Sequence, residues 1–566
     1  MSQNTAATQA FLRITDLSNG QAEWFERQVM RCLALAGWDD LRHVGRSWDG
    51  GADIVGLFRG ERWVVQIKAR KASGAVDAIQ DVERAAAIYG VSKGLAVSRG
   101  KWAGSAIKAA GKYGSDLQLI NGAQLIMALE EYPIYPSDSR TLFRFQEDAV
   151  TELLAAYKRG QEVALIAMAT GLGKTVVAAE YVAKVLAEKE SLRVLVLAHS
   201  EDILKQSEKS FWKHLPKTIS THQINARERP HRIDGVTFAT FQTMSNIIPN
   251  MPDEIKFDTV IVDECHHAAA RSYMAVIRAL APDFLVGLTA TPWRTDEKSL
   301  RNIFGDAIYS KSIIEAMNQG WLSEVDYRLL IDNIPWEDFP KLSNTSLTVK
   351  QLNSLFFIPQ LEEAIVQKIY EHWKDIDNPR TLIFCKTIRS AERIAGIINS
   401  NGFATAKVVS SKLLPGERRI DREIKLMKFR DGEIDILCGV DVFNEGIDVP
   451  DVNLLVFLRV THSRRIFVQQ LGRGLRWKKE KIVRVLDFVS DIRRIAALIK
   501  MGAEHEAWCS SRPVEVHLKD QIIHFNNDKQ ASFFKEWLKD VAELEDASES
   551  SELAFPSLTT STRLNE

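Results

Sequence analysis

Met168-Ala-Thr-Gly-Leu-Gly-Lys-Thr175 sits between an apolar run, Val163 to Ala167, and a helix-forming stretch, Val176 to Leu186. Few folds accommodate a glycine-rich turn at that junction. Glycines let backbone N–H groups approach an anion, and the first turn of the helix adds a favourable dipole. The context calls for a buried parallel strand feeding a helix. The same chemistry assigns roles. Thr170, Gly171 and Gly173 would cradle the phosphates of ATP, Lys174 would reach the β- and γ-phosphates, and Thr175 would ligate Mg²⁺. Met168 stands where this pattern usually has glycine.

Short, almost wholly apolar runs recur along the chain: Val163–Ala167, Val194–Ala198, Thr259–Val262 and Leu285–Leu288. Helical stretches separate them, which predicts parallel strands covered on both faces. The style resumes after about Asn378 with Thr381–Phe384, Asp435–Cys438 and Asn453–Phe457, predicting a second α/β domain. Tyr327 to Trp373 is less regular and is expected to bridge the two. At 566 residues the chain exceeds one hydrophobic core, so several domains are expected. The formal net charge of -1 gives no global attraction to nucleic acid. Any such contact needs local clusters of Lys and Arg. Cys32, Cys265, Cys385, Cys438 and Cys509 form no CxxC pair, which argues against a zinc site or a disulfide framework. A reducing cytoplasm is the expected compartment. The N-terminus lacks a basic and then apolar signal pattern, and no apolar run reaches membrane-spanning length, so no membrane role is expected.

A second element matches the phosphate loop. Phe257-Asp-Thr-Val-Ile-Val-Asp-Glu-Cys-His266 is an apolar strand ending in two carboxylates. Asp263 at the strand tip can hold Mg²⁺, and Glu264 can orient and polarise an attacking water. Alone, the pair would also suit a helix N-cap. From about Thr141 to Ile499 the sequence resembles superfamily 2 helicases. Asp263-Glu-Cys-His266 resembles the DExH box of that family, and Gly287-Leu-Thr-Ala-Thr-Pro292 its motif III. Phe145-Gln146 resembles the adenine-reading Q motif, although Arg144 sits beside the aromatic rather than further upstream. Leu197-Ala-His199 and Ala239-Thr-Phe-Gln-Thr243 resemble its strand-contacting motifs. Asn444-Glu-Gly-Ile-Asp-Val-Pro450 resembles motif V, which implies that Gly446 and Asp448 serve the nucleotide. Gln469-Gln-Leu-Gly-Arg-Gly-Leu-Arg476 resembles motif VI. Arg473 and Arg476 lie three apart and can face one way from a helix. A guanidinium reaching the γ-phosphate is worth roughly 10³–10⁵ in rate. Arg464 and Arg465 read as a solvated face. His266 and His267 do not converge easily on one ion, so coupling of the DExH histidine to motif III is preferred to a metal. The style is nearest the branch holding the UvrB repair protein, RadD and the motor subunits of type I and III restriction enzymes.

The first 130 residues carry a separate constellation. A helix from Trp24 to Ala36 ends at Gly37, and Ala52–Phe58 and Trp63–Lys68 read as a hairpin turned by Arg59-Gly60-Glu61-Arg62. Gln66 and Lys68 share one strand face, and Asp53 on the neighbouring strand can converge with them. A carboxylate and an amide oxygen can hold Mg²⁺, and a nearby lysine can position water or offset phosphoryl charge. The arrangement resembles the Mrr-like restriction endonuclease domain of the PD-(D/E)xK superfamily, over about Gln21 to Leu129. The matching pieces are Phe25-Glu26, Asp53, Gln66-Ile-Lys68, Gln80 and Leu119-Ile-Asn-Gly122. Gln66 replaces the commoner glutamate, and Glu26 is a candidate additional metal contact. An inactive DNA-binding domain, with Asp53 and Lys68 in a salt bridge, is the alternative. Trp24, Trp38, Trp48 and Trp63 suit packing better than base stacking. Lys68-Ala-Arg-Lys71 reads equally as a phosphate contact and as a solvated face.

The expected fold is therefore α/β, with two RecA-like parallel-sheet motor domains plus an N-terminal restriction-endonuclease-like α/β domain. Expected boundaries are 1–131 for the endonuclease domain, 132–140 for a proline-stiffened linker and 141–325 for the ATP-binding motor domain. A connecting segment at 326–377, the second motor domain at 378–500 and a C-terminal extension with an acidic flexible tail at 501–566 follow. The expected function is an ATP-dependent DNA translocase or helicase with a Mg²⁺-dependent endonuclease, in restriction, defence against foreign DNA, or repair. Its rivals are a repair or replication-restart helicase whose N-terminal domain only binds DNA, and a nucleotide-switched DNA clamp without nuclease activity. DNA, whether duplex, forked or single-stranded, is the expected partner ahead of RNA, together with proteins of a defence or repair system.

Overall fold

The computed structural model describes residues 10–45, 51–69, 74–136, 141–225, 228, 230, 232–250, 256–265, 271–290, 297–312, 315–316, 319–330, 346–348, 351, 362–410, 413–440, 452–458, 481–488 and 552–554. The chain divides into two compact units, residues 1–168 with 173–311, and residues 312–566 with 169–172.

In the first unit, α1 (Ile14–Asn19) and α2 (Ala22–Leu35) precede β1 (Asp39–His43), β2 (Ile54–Phe58) and β3 (Glu61–Lys68). Gly37 follows α2 with φ 83°, as a helix stop requires. Phe58 pairs with Glu61 across the hairpin. Arg59 and Gly60 between them both have positive φ, the signature of a two-residue type I′ turn. α3 (Asp77–Tyr89), β4 (Lys93–Ser98), α4 (Gly104–Ala110), β5 (Leu117–Asn121) and α5 (Gly122–Glu131) complete this domain. The strands lie in the order β1-β2-β3-β4-β5. The first three are antiparallel, and β4 and β5 add in parallel. Trp24, Trp38 and Trp63 are buried in the core with Phe25, Ile54 and Val65, and Trp38 stacks on Phe58. They pack, as the sequence suggests. Trp48 lies outside the described residues.

The remainder of this unit comprises α6 (Arg144–Lys158), β6 (Val163–Met168), α7 (Lys174–Glu188), β7 (Arg193–Ala198), α8 (Glu201–Trp212), β8 (Thr221–Ile224), β9 (Gly235–Thr240), α9 (Phe241–Ile247), β10 (Thr259–Val262), α10 (Arg271–Leu280), β11 (Phe284–Thr289), α11 (Glu297–Phe304) and β12 (Ala307–Lys311). The strands form one parallel sheet in the order β12-β6-β11-β10-β7-β9-β8. The four apolar runs are β6, β7, β10 and β11, at its centre. β8 was not legible, because Thr-His-Gln-Ile does not read as a buried strand. All four residues are nevertheless buried, and part of their cover comes from the N-terminal domain. Gln28 Nε2 on α2 donates to the Thr221 carbonyl at 3.5 Å.

The second unit contains β13 (Glu324–Leu330), β14 (Ser346–Thr348), α12 (Glu362–Trp373), β15 (Thr381–Phe384), α13 (Ile388–Asn401), β16 (Ala406–Ser410), α14 (Arg419–Asp431), β17 (Ile436–Val440), β18 (Leu454–Phe457), β19 (Ile482–Phe488) and β20 (Glu552–Ala554). Its main sheet is parallel in the order β13-β19-β18-β15-β17-β16. Two boundaries differ from the sequence reading. The first unit ends at Lys311 rather than 325. Glu324–Leu330 is an edge strand of the second sheet, not a connector, and α12 buries Val366 and Ile369 in that core. An edge strand carries polar residues, so it does not show the continuous apolar run of a central parallel strand. Here Asp326 binds Arg484 of β19 at 2.9 Å. In the tail expected to be flexible, β20 pairs antiparallel with β14.

Within the first unit the endonuclease-like domain is bonded to the motor sheet by buried polar contacts. Arg27 of α2 lies between Glu208 of α8 and Glu228, with Nε 2.9 Å from Glu228. Arg31 donates to the Ile219 carbonyl at 2.8 Å and the Pro216 carbonyl at 3.2 Å, and its guanidinium lies over Phe11. Trp212 of α8 is buried in the core of the N-terminal domain. Lys217 Nζ donates to the carbonyls of Leu129, Glu130 and Tyr132 at 2.8, 2.9 and 2.6 Å, which closes the C-terminal end of α5. The linker is therefore fastened where it starts. Replacing Lys217 with methionine leaves three carbonyls without that donor. We expect a loss of about 2–3 kcal/mol, a lower thermal midpoint, and faster proteolysis within residues 132–140. An unchanged midpoint and digestion pattern would refute this account of the linker.

Candidate catalytic sites

β6 delivers the chain into the phosphate loop, and α7 begins at Lys174. Gly171 and Gly173 have φ 92° and 81°, a conformation that other residues adopt only under strain. A Cβ on Gly173 would lie 2.6 Å from Gln146 Nε2. The loop is therefore shaped for backbone approach to an anion, and Gln146 stands beside it. The Gln146 Oε1 accepts from the Phe143 N–H at 3.0 Å. Phe143, which sequence reasoning passed over, stacks on Phe145 and is 40% exposed. Thr170 Oγ1 is buried without a hydrogen-bond partner among the described residues. Glycine-loop shape, helix start and buried lysine fit a nucleotide triphosphate.

β10 is followed at once by Asp263 and Glu264. Lys174 Nζ lies 3.7 Å from Glu264, which brings the loop lysine and the acidic pair together. Asp263 is buried. It accepts from Ser207 Oγ at 3.1 Å and from the Glu264 N–H at 3.0 Å. Burial and the Glu264 charge push the Asp263 carboxyl upward, against Lys174 and the Ser207 hydroxyl. A cation there would relieve this crowding of negative charge. Glu264 has φ 49°, a strained conformation for a non-glycine residue that recurs at functional sites. Ser207 was not read from the sequence, since a serine inside a helix carries no motif.

Gly287, in the stretch resembling motif III, has a packing reason: an added Cβ would lie 2.7 Å from Phe304. Thr240 caps α9, accepting from the Thr243 N–H at 3.1 Å. Thr291, Pro292, His266, His267, Gly446, Asp448, Arg464, Arg465, Arg473 and Arg476 lie outside the described residues.

The second centre lies at the β2–β3 hairpin. Asp53 Oδ2 accepts from Gln66 Nε2 at 2.8 Å and from the Ile67 N–H at 2.6 Å. Burial first, then the Glu26 charge, raises the Asp53 carboxyl to about 7, against the Ile67 N–H and Lys68. Glu26 of α2 lies 2.8 Å from His43 Nε2 of β1. Asp53 thus bonds Gln66, and the Glu26 charge acts on it. Lys68 does not form the alternative salt bridge to Asp53. Its Nζ lies 2.7 Å from Asp81 and 3.2 Å from Asp77, both on α3. Burial alone would lower the Lys68 ammonium, but these two carboxylates outweigh it and raise it. Asp77, Asp81 and His43 were not anticipated, because their roles depend on the docking of α3 and β1 rather than on spacing. Gln80 is exposed on α3, and Lys71 lies outside the described residues. Among the described residues no group of three His, Cys, Asp or Glu has metal-binding geometry. A third oxygen would have to be the Gln66 amide, turned from its present hydrogen bond. Two neighbouring carboxylates, one driven toward neutrality, and an amide are a donor set suited to a hard divalent cation.

A family model for the type III restriction enzyme res subunit matches residues 140–294, and one for the helicase conserved C-terminal domain matches 362–478. A restriction endonuclease model matches residues 17–129. The chain is similar to the putative ATP-dependent helicase IRC3 of Saccharomyces cerevisiae, with 25% identity over 61% of this chain and 51% of that one. It is also similar to the type I restriction enzyme EcoAI endonuclease subunit of Escherichia coli, with 25% identity over 62% of this chain and 46% of that one. The chain thus spans about half the length of these curated relatives. Among solved structures, a DNA-bound type ISP restriction-modification enzyme, LlaBIII, aligns with TM-score 0.49 and 16% identity, covering 85% of this chain and 37% of that one.

The raised Asp53 carboxyl has a consequence for stability. Its folded value of about 7 exceeds its ordinary value of 3.8. Its contribution is therefore fully present below about pH 4 and is lost as pH rises through 7. In chelator at about pH 8, Asp53→Asn should stabilise the protein by about 2–4 kcal/mol. That gain should shrink as pH falls toward 4. Thermal melts across this range check it, and a pH-independent difference would contradict it.

Proposed function

We propose, for a chain that joins a superfamily 2 helicase motor to an N-terminal Mrr-type restriction endonuclease domain, that ATP hydrolysis moves it along DNA and that the N-terminal domain cuts that DNA with Mg²⁺. The observation that carries this reading is the meeting of Lys174 with Asp263 and Glu264 beside a glycine loop, in the same compact unit as Asp53, Gln66 and Glu26. Lys174 would bind the β- and γ-phosphates, Thr175 and Asp263 would hold Mg²⁺, and Glu264 would orient the attacking water. Arg473 and Arg476, like Gly446 and Asp448, are assigned to the nucleotide on their resemblance to motifs VI and V. At the other centre Asp53, Glu26 and Gln66 would hold Mg²⁺, which lowers the pKa of a bound water. Lys68, held by Asp81 and Asp77, would offset charge on the scissile phosphate. We place the activity in restriction, defence against foreign DNA or repair, in the cytoplasm and with DNA rather than RNA as substrate.

One observation favours a second reading. Gln66 presents its amide N–H, not its oxygen, to Asp53. A domain that kept this arrangement would bind DNA without cutting it, as in a replication-restart helicase.

Lys174→Ala should reduce DNA-stimulated ATP turnover by at least 10²-fold through loss of the phosphate contact. An unchanged rate would sink the motor assignment. Asp53→Ala should abolish metal-dependent cleavage and leave ATP turnover within about two-fold, since it touches no motor residue. Absence of cleavage by the unmodified chain on plasmid, forked and linear DNA would decide for the DNA-binding reading. Glu264→Gln should retain ATP yet alter where cuts fall on a long linear duplex, because slowed hydrolysis limits travel. Identical cut positions and rates would show that cutting is independent of movement.

A further inference from the structure

Three consecutive residues of α8 face three different neighbours. Ser207 Oγ donates to Asp263 Oδ2 at 3.1 Å. Glu208 forms the buried ion pair with Arg27. Lys209 Nζ donates to the Leu41 carbonyl at 2.9 Å. Successive helical residues turn by about 100°, so one helix can address several surfaces at a single level. The first contact is to the acidic centre beside the phosphate loop. The other two are to α2 and β1 of the endonuclease-like domain. On those elements, Arg27 is next to Glu26, and Leu41 is two residues from His43. Glu26 and His43 bond each other at 2.8 Å, and the Glu26 charge acts on Asp53.

We infer that α8 is a positioning element shared by both centres: Ser207 registers the state of Asp263, and Glu208 and Lys209 transmit it to the Glu26–His43 pair. The inference rests on the two sites having the nucleotide and nuclease roles proposed above. The contacts are suited to transmission. A helix whose inner face is packed moves as a body, so a shift at Ser207 is a shift at Glu208. Glu208 also accepts from Gln223 Nε2 at 2.6 Å, and Glu228 from the Gln223 N–H at 3.3 Å. Arg27 is thereby held by two carboxylates that are themselves braced. A rotation of α8 can be accommodated at this ion pair only by moving α2 with it. Ser207, Glu208 and Arg27 are positioning residues, acting through Asp263 and Glu26.

The test is amide hydrogen exchange on the full chain in constant Mg²⁺, with and without a saturating non-hydrolysable ATP analogue. In the unmodified protein the analogue should slow exchange at residues 169–176, and also change it by at least two-fold within residues 22–43. In Glu208→Gln the response at 169–176 should persist, while that at 22–43 is lost. If Glu208→Gln fails to fold, Ser207→Ala, which removes one hydroxyl, carries the same expectation for residues 22–43. As a second readout, the analogue should shift by at least three-fold the Mg²⁺ concentration that half-saturates DNA cleavage, a shift absent from the variants. A response at 169–176 with none at 22–43 in the unmodified protein, or an undiminished response at 22–43 in the variants, overturns the inference and leaves the proposed function standing. No response anywhere overturns both.

Discussion

The burial of Arg27 between Glu208 and Glu228 is the interaction on which the first unit depends. Taking a guanidinium and two carboxylates out of water carries a large desolvation penalty, which only close geometry and further hydrogen bonds offset. Here the further bonds come from Gln223. Desolvation lowers the Arg27 pKa, yet the two carboxylates outweigh it and hold the guanidinium firmly protonated. Loss of Arg27 would leave two carboxylates buried without compensation. The pair therefore fixes register as much as it stabilises: α2 has one seat on the motor sheet. Arg31, one turn along, donates to backbone carbonyls, and Lys217 fastens the end of the same domain. Together these make two sequence regions with separate chemistry a single packed body.

Both centres place negative charge where water is scarce. Asp263 and Asp53 are each raised chiefly by burial, then by a neighbouring glutamate. Each also has a lysine within electrostatic reach, and each accepts two hydrogen bonds. Such sites weaken the folded state in the absence of ligand, and binding of a cation recovers the difference. The lysines are deployed differently. Lys174 lies in the phosphate loop near Glu264, whereas Lys68 is held by α3 carboxylates beside its site. The first is buried at the start of α7. The second is oriented by acids that hold its ammonium charged.

Much of this was legible in the chain. The phosphate loop, the acidic strand end and the central strands β6, β7, β10 and β11 follow from residue type and spacing. Glycine at positive φ and continuous apolar runs have few alternative explanations. The hairpin, with Asp53 opposite the Gln66 strand, was legible because strand alternation fixes which residues share a face. What resisted reading had polar sequence and tertiary burial. β8 is buried partly by another domain, and β13 is an edge strand. Ser207, Asp77 and Asp81 act through helices whose docking no local pattern records. The sequence by itself determined which residues are candidates for the two centres, because each proposed chemistry needs particular residues at fixed backbone spacing. Only the tertiary structure decided that Lys68 pairs with α3, that Ser207 reaches Asp263, and that Arg27 joins the two domains. Those contacts link residues 13 to 201 positions apart, and buried charge finds its partner through packing rather than through sequence proximity.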